Sequence, residues 1–307
     1  MASPVGDRVM HALTFGAAVL VLLTLGGVFI SLVIGSMPAI KAFGLGFITS
    51  QSWNPVTEIF GAAAPIYGTL LTSAIALLIA VPVGLGISIF LTELSPAWLA
   101  RPIAIAIELL AGIPSIIYGI WGLFVLAPFL QQNFQEWVIN RVSGIPVLET
   151  LFAGPPYGIG VFTAAIILAI MILPFISSVT RDVFETVPPM LKEAAYGIGC
   201  TKWEVMKNVV IPHTKAGVIG AIMLALGRAL GETMAVTFVI GNAHKIAASL
   251  FAPGTTISAT IANEFTEATG DIYTSSLIAL GLILFVVTFI VLAAARLMLA
   301  RMEARSR

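Results

Sequence analysis

With 59% of its 307 residues hydrophobic and only 10% charged, the chain is excluded from the class of soluble domains, which carry about 25% charged residues. A formal net charge of zero, with basic residues dispersed rather than clustered among aromatics, gives no basis for nucleic-acid binding. The single cysteine, Cys200, excludes an internal disulfide. His11, His213 and His244 lack metal-ligand spacing, so no metal or cofactor is expected and the three read as loop or helix-end residues.

In chain order, the first element is the apolar run over residues 12–34, which follows Arg8. It is longer than a signal-peptide core of about 7–15 residues, and about 20 apolar residues cross the roughly 30 Å of a bilayer's hydrocarbon. The run is therefore expected to be a retained transmembrane helix. Five more charge-poor runs follow, at 65–91, 103–130, 157–180, 216–241 and 273–299. Backbone groups in lipid must be satisfied within the segment, and the alternating pattern of a β-barrel is absent. The expected fold is all-α and integral to the membrane, with six transmembrane helices. Residues 1–64 would hold the first helix and an outer loop, 65–300 the main transmembrane domain, and 301–307 a tail. Pro82, Pro114, Pro128 and Pro174 fall inside spans, where each removes a backbone donor and kinks its helix.

Orientation follows from the basic residues. One face would carry Arg8, Arg101, Arg181, Lys192, Lys202, Lys207, Lys215, Arg296, Arg301, Arg305 and Arg307, eleven in all, against three (Lys41, Arg141 and Lys245) on the other. The positive-inside rule then puts both termini in the cytoplasm. On the opposite side, residues 35–64 are rich in Gly, Pro and aromatics and read as interfacial. Residues 242–272 carry Glu264, Glu267 and Asp271, which suit either a solvated loop or contact with a basic patch on a partner.

Residues 180–215, TRDVFETVPPMLKEAAYGIGCTKWEVMKNVVIPHTK, are too patterned for a plain connector. Pro188 and Pro189 suit a first helical turn, and Met190, Leu191, Ala194, Ala195 and Ile198 share one helical face. Gly197 and Gly199 break that helix. Thr201 with Glu204 forms a capping-box signature for a second helix, whose stripe is Trp203, Met206 and Val210 and which Pro212 is expected to end. Such a segment needs a partner surface, either this chain's own helix ends or another subunit. Glu193-Ala194-Ala195, three residues, Gly199, nine residues, then Val209-x-Ile211-Pro212 resembles the EAA–x3–G–x9–I–x–LP pattern of ABC importer permeases, with Val and Ile where Ile and Leu are usual. The resemblance implies a coupling loop at 185–212 that docks on an ATPase subunit, with Glu193, Ala194, Ala195, Gly199 and Pro212 as its coupling residues. No phosphate-binding loop of the form G-x-x-x-x-G-K-[ST] is present, since none of the six lysines follows a glycine. ATP hydrolysis would fall to partner subunits, and the chain itself is not expected to be an enzyme.

Within span five, GRALGETMAV over 227–236 puts Arg228 and Glu232 four residues apart, able to pair on one helix face. Glu108 is the only other charge well inside an expected span. Charges near a helix centre cost about 2.5–3.5 kcal/mol and usually face the bundle interior or a cavity. A buried ion pair that fixes packing is one reading. The other is an anion path, with the planar, permanently charged Arg228 meeting an oxyanion and Glu232 or Glu108 competing for it. GRALGETMAVTFVIGN at 227–242, APIYGTLLTSAIALLIAVPVGLGISIFLTE at 64–93, IELLAGIPSIIYGIWGLFVLAPFL at 107–130 and TISATIANEF at 256–265 resemble the PstC-type permeases of phosphate-specific ABC transporters. The likeness runs from about residue 53 to the last span. It implies a type I ABC importer permease fold and transport of inorganic phosphate across the cytoplasmic membrane by alternating access. It also implies a second homologous permease of the PstA type, two ATPase subunits and an extracytoplasmic phosphate-binding protein as partners, besides membrane lipid. Open alternatives are another oxyanion, such as molybdate or sulfate, and a gradient-driven secondary anion transporter.

Overall fold

The computed structural model describes residues 4–306 except Ser143, so Arg307 of the tail and residues 1–3 lie outside the described residues. Among the described residues, six helices are long and apolar enough to cross a membrane: α1 (Pro4–Phe43), α2 (Ala63–Leu94), α4 (Ser115–Val142), α5 (Val161–Glu185), α7 (Lys202–Leu230) and α9 (Asp271–Ser306). Shorter helices are α3 (Ala97–Ala111), α6 (Pro189–Gly197) and α8 (Ile257–Glu264).

α5 is the centre of the bundle, with 67% of its most apolar stretch buried against none in α1. α2 lies along it, brought close by Gly84, where a Cβ would come within 2.8 Å of Ile176. Ser88 Oγ donates across the contact to the Ser177 carbonyl at 2.9 Å. Gly122 lets α4 approach in the same way, since a Cβ there would meet Ile167 at 2.0 Å. Ala76, Ala80, Ile167, Leu168, Ile172, Ala225, Ala229 and Val236 fill the core between these elements. α1 packs against α9 at one end, through Phe29 on Phe285 and the Ala39 N–H donating to Ser275 Oγ at 2.9 Å.

The third and fifth spans differ from what hydropathy predicts. The run at 103–130 is two helices, because Gly112 ends α3 and Pro114, which disfavours helical geometry in Ile113, stands before α4 as its cap rather than as a kink within it. The run at 216–241 is helical only to Leu230. Gly231 ends α7, and the chain continues as a short turn at Met234–Thr237 and then irregular backbone to Thr256. Irregular backbone at membrane depth is tolerated where protein buries it, and Ala235, Val236, Val239 and Ile240 are all buried. Pro212 does not end a helix as expected. It sits inside α7, directly after a π-turn at Met206–Val210. Pro128 likewise follows a π-turn at Gly122–Leu126. The wider π-turn absorbs the missing N–H and the clash with the preceding turn that proline otherwise imposes.

Candidate functional site

Arg228 stands in the last turn of α7, three residues before the break at Gly231. Its guanidinium carbon lies 4.5 Å above the Phe175 ring of α5, and Tyr118 of α4 lies within the field of its charge. Its Nε is buried and has no hydrogen-bond partner among the described residues. The cation–π contact returns about 0.5–2 kcal/mol, against about 1–3 kcal/mol for the buried Nε donor left unpaired. Phe175 therefore holds Arg228 in place without satisfying it.

The expected pairing of Arg228 with Glu232 does not form. No ion pair within 4.0 Å joins them among the described residues, because the helix ends between them and the i, i+4 relation is lost. Glu232 Oε1 instead accepts from the Ala235 N–H at 3.2 Å, capping the Met234–Thr237 turn. That turn is seated on Gly119 of α4, where a Cβ would meet Phe238 at 2.8 Å and the Met234 carbonyl at 3.0 Å. Glu108 is also corrected. It lies on α3 rather than within a span, is half exposed, and accepts from Arg181 Nη2 at 2.8 Å. Its partner is Arg181, not Arg228. Arg181 is further held by Asp182 at 3.0 Å and Glu185 at 3.9 Å.

The coupling segment forms its two helices. The capping box is complete, with Thr201 Oγ1 accepting from the Glu204 N–H and Glu204 Oε2 accepting from the Thr201 N–H. Gly199 takes φ +91°, the left-handed conformation that a helix end favours and that a side chain resists. Val205, Met206 and Val210 pack with Phe184, Val187 and Ala195. Of the expected apolar face of α6 only Ala195 packs inward, while Met190 is 77% and Ile198 83% exposed, and Trp203 is exposed as well. Glu193 and Ala194 are exposed beside them.

Residues 83–304 match the family described as binding-protein-dependent transport system inner membrane component. The chain belongs to this family. Among curated relatives, this permease is 71% identical over 300 residues to the phosphate transport system permease protein PstC of Mesorhizobium japonicum, covering 98% of this chain and 92% of that one. It is 57% identical over 286 residues to PstC of Haemophilus influenzae, covering 93% and 90%. It also shares its fold with the permease of an alginate ABC importer, at TM-score 0.63 and 18% identity over 96% of each chain. The MetNI methionine ABC transporter in an inward-facing form gives TM-score 0.59 at 15% identity over 81% of this chain and 99% of that one. These likenesses establish the type I ABC importer permease fold.

One cluster in the permease was not foreseen from sequence. His244 is not an ordinary loop residue, for its Nε2 lies 2.9 Å from Glu264 Oε1 and its ring stacks on Trp53 at 4.9 Å. Trp53 Nε1 and Tyr273 OH both donate to Glu264 Oε2, at 2.5 and 2.8 Å. Burial works to raise the Glu264 carboxyl, but the bonds from His244, Tyr273 and Trp53 outweigh it and hold the group below its ordinary value. Glu264 is thus engaged within the chain, which leaves Glu267 and Asp271 as the exposed acids of the 242–272 segment. A cavity beside the cluster, among Tyr67, Lys245, Gly254 and Thr255, measures about 10 Å³, room for a water and not for a tetrahedral oxyanion.

Proposed function

We propose that this chain is the permease subunit of an ATP-driven importer of inorganic phosphate. The observation that carries the proposal is Arg228, a half-buried cation whose buried Nε has no hydrogen-bond partner and which has no carboxylate partner among the described residues, at a helix break beside the central helix α5. An arginine in that condition gains when an oxyanion arrives, because charge-assisted hydrogen bonds to a planar fork are about twice as strong as neutral ones. The phosphate named in the closely similar PstC relatives supports that choice of anion. Glu232 caps the turn beyond the break. If it swings to Arg228 when that turn moves, it competes with the anion and helps release it, whereas Glu108, held by Arg181, takes no part in the path.

The working assembly is this chain, a second homologous permease of the PstA type, two ATPase subunits and an extracytoplasmic phosphate-binding protein, with both termini in the cytoplasm. The segment 185–212 meets the ATPases through the exposed face of Met190, Ile198 and Trp203, with Glu193, Ala194, Ala195 and Gly199 shaping it. Pro212 lies within α7, just after its π-turn, rather than on the docking face. ATP-driven closure of the partners then alternates access to Arg228 from the two sides.

Purified from native membranes in mild detergent, the chain should bring both partner permease and ATPase with it. In proteoliposomes, that complex should take up phosphate only with ATP and binding protein, and a protonophore should leave uptake intact. Uptake driven by an ion gradient without ATP would overturn the assignment. Sulfate or molybdate transported in preference to phosphate would overturn the choice of anion.

A further inference from the structure

Three residues far apart in sequence meet at the end of α2 that faces the coupling segment. Glu93 stands in the π-turn Phe90–Leu94 that finishes α2, and its side chain is only 10% exposed. Lys192 Nζ forms an ion pair with Glu93 Oε1. Lys202 Nζ donates to the Glu93 carbonyl at 3.1 Å. Lys192 lies on α6 immediately before Glu193, and Lys202 opens α7 immediately after its Thr201 cap. A single residue of α2 therefore holds both arms of the segment, one on each side of the left-handed Gly199.

The rest of this junction is apolar, with Ile89 of α2 packed on the cluster of Phe184, Val187, Ala195, Val205, Met206 and Val210. Apolar burial is non-directional, so that surface alone lets the segment slide or rotate without carrying α2 along. A nearly buried carboxylate gripped by a lysine on one arm, with its own carbonyl gripped by a lysine on the other, fixes register. From Glu93 the contacts are continuous. About one and a half turns up α2, Ser88 bonds to the Ser177 carbonyl, and one turn further Gly84 lies against Ile176. Ile176 is next in sequence to Phe175, the ring under Arg228.

We infer that Glu93 is a positioning residue that transmits movement of the coupling segment through α2 and α5 to Arg228. The inference rests on the reading of 185–212 as the ATPase docking segment. Losing the grip should leave ATPase docking and ATP hydrolysis in place while ATP is consumed without transport.

The test uses the complete complex in proteoliposomes and measures phosphate moved per ATP hydrolysed, with ATPase retention scored on the same preparations. Glu93→Gln should retain the ATPase and its hydrolysis and lose about 5-fold or more of the phosphate moved per ATP, the low end of typical coupling between sites. Glu93→Asp should recover part of that ratio, and the exchange Glu93→Lys with Lys192→Glu should recover more than either single change. An unchanged ratio in Glu93→Gln overturns the inference, and so does loss of assembly in both Glu93→Gln and the exchange, which would mark a purely structural role. The docking reading is tested separately by Met190→Asp with Ile198→Asp on the exposed face, which should lose the ATPase. If the ATPase stays bound to that variant, the docking reading fails whatever Glu93 does. If it is lost while Glu93→Gln transports normally, only the inference fails.

Discussion

Two arginines in this chain sit in apolar helices and have opposite surroundings. Arg181, near the end of α5, is matched by Glu108, Asp182 and Glu185. Arg228, at the end of α7, has an aromatic ring beneath it and an unpaired buried Nε. A guanidinium surrounded by carboxylates has its charge balanced within the chain and joins one helix to another. A half-buried guanidinium with no carboxylate among the described residues keeps capacity for an anion from outside. The difference separates a structural ion pair from a transport site more sharply than the mere presence of charge in a membrane segment.

The sharpest way to break this contrast is Arg228→Gln, which removes the charge and keeps a polar side chain of related length. Losing a charge-assisted hydrogen bond costs about 2–3 kcal/mol, or roughly 30–150-fold in uptake rate, with the complex still assembled on size-exclusion chromatography. Next, Gly199→Ala places a side chain at φ +91° with open space around it. The cost is therefore backbone strain alone, about 1–2 kcal/mol, and it should appear as less phosphate moved per ATP rather than as a lost subunit.

A third substitution probes a balanced site. Glu264→Gln weakens a partly buried acceptor of three side chains and should destabilise the purified complex by about 1–3 kcal/mol at pH 7, read as a lower melting temperature. The Glu264 carboxyl is held below its ordinary value near 4.5 in the folded chain. Its ionised form therefore favours folding, fully above that ordinary value, and the advantage is lost as pH falls through the depressed one. The melting gap between wild type and Glu264→Gln should accordingly close between neutral pH and the range below about 4.5; a gap independent of pH would remove the ionised knot from the account. The smallest effect belongs to Arg181→Gln, where the acidic partners are half exposed or more and can turn to water. Stability should drop by no more than about 1 kcal/mol, with uptake retained.

The six spans were legible because about 20 apolar residues and few charges leave a chain one way to satisfy its backbone in lipid. The two coupling helices were legible because Thr201 and Glu204 act locally, within one turn. What escaped was where an apolar run stops being a helix. Residues 231–241 are as apolar as the helix before them, so hydropathy runs on through Gly231, and the turn beyond the break that separates Arg228 from Glu232 packs on Gly119 of a distant helix. Glu108 looked intramembrane because apolar residues flank it, yet its partner is 73 residues away. His244, Trp53 and Tyr273 converge on Glu264 from three separate segments, and no spacing in a single sequence announces that.

The central claim is that an unbalanced arginine marks the path and a balanced one does not. The most direct test measures ATP-driven uptake of radiolabelled phosphate by complexes carrying Arg228→Gln and Arg181→Gln side by side, with binding protein present and assembly verified in both. Uptake reduced about 30-fold or more in the first and preserved in the second is the predicted result. Uptake preserved in an assembled Arg228→Gln complex would contradict the account.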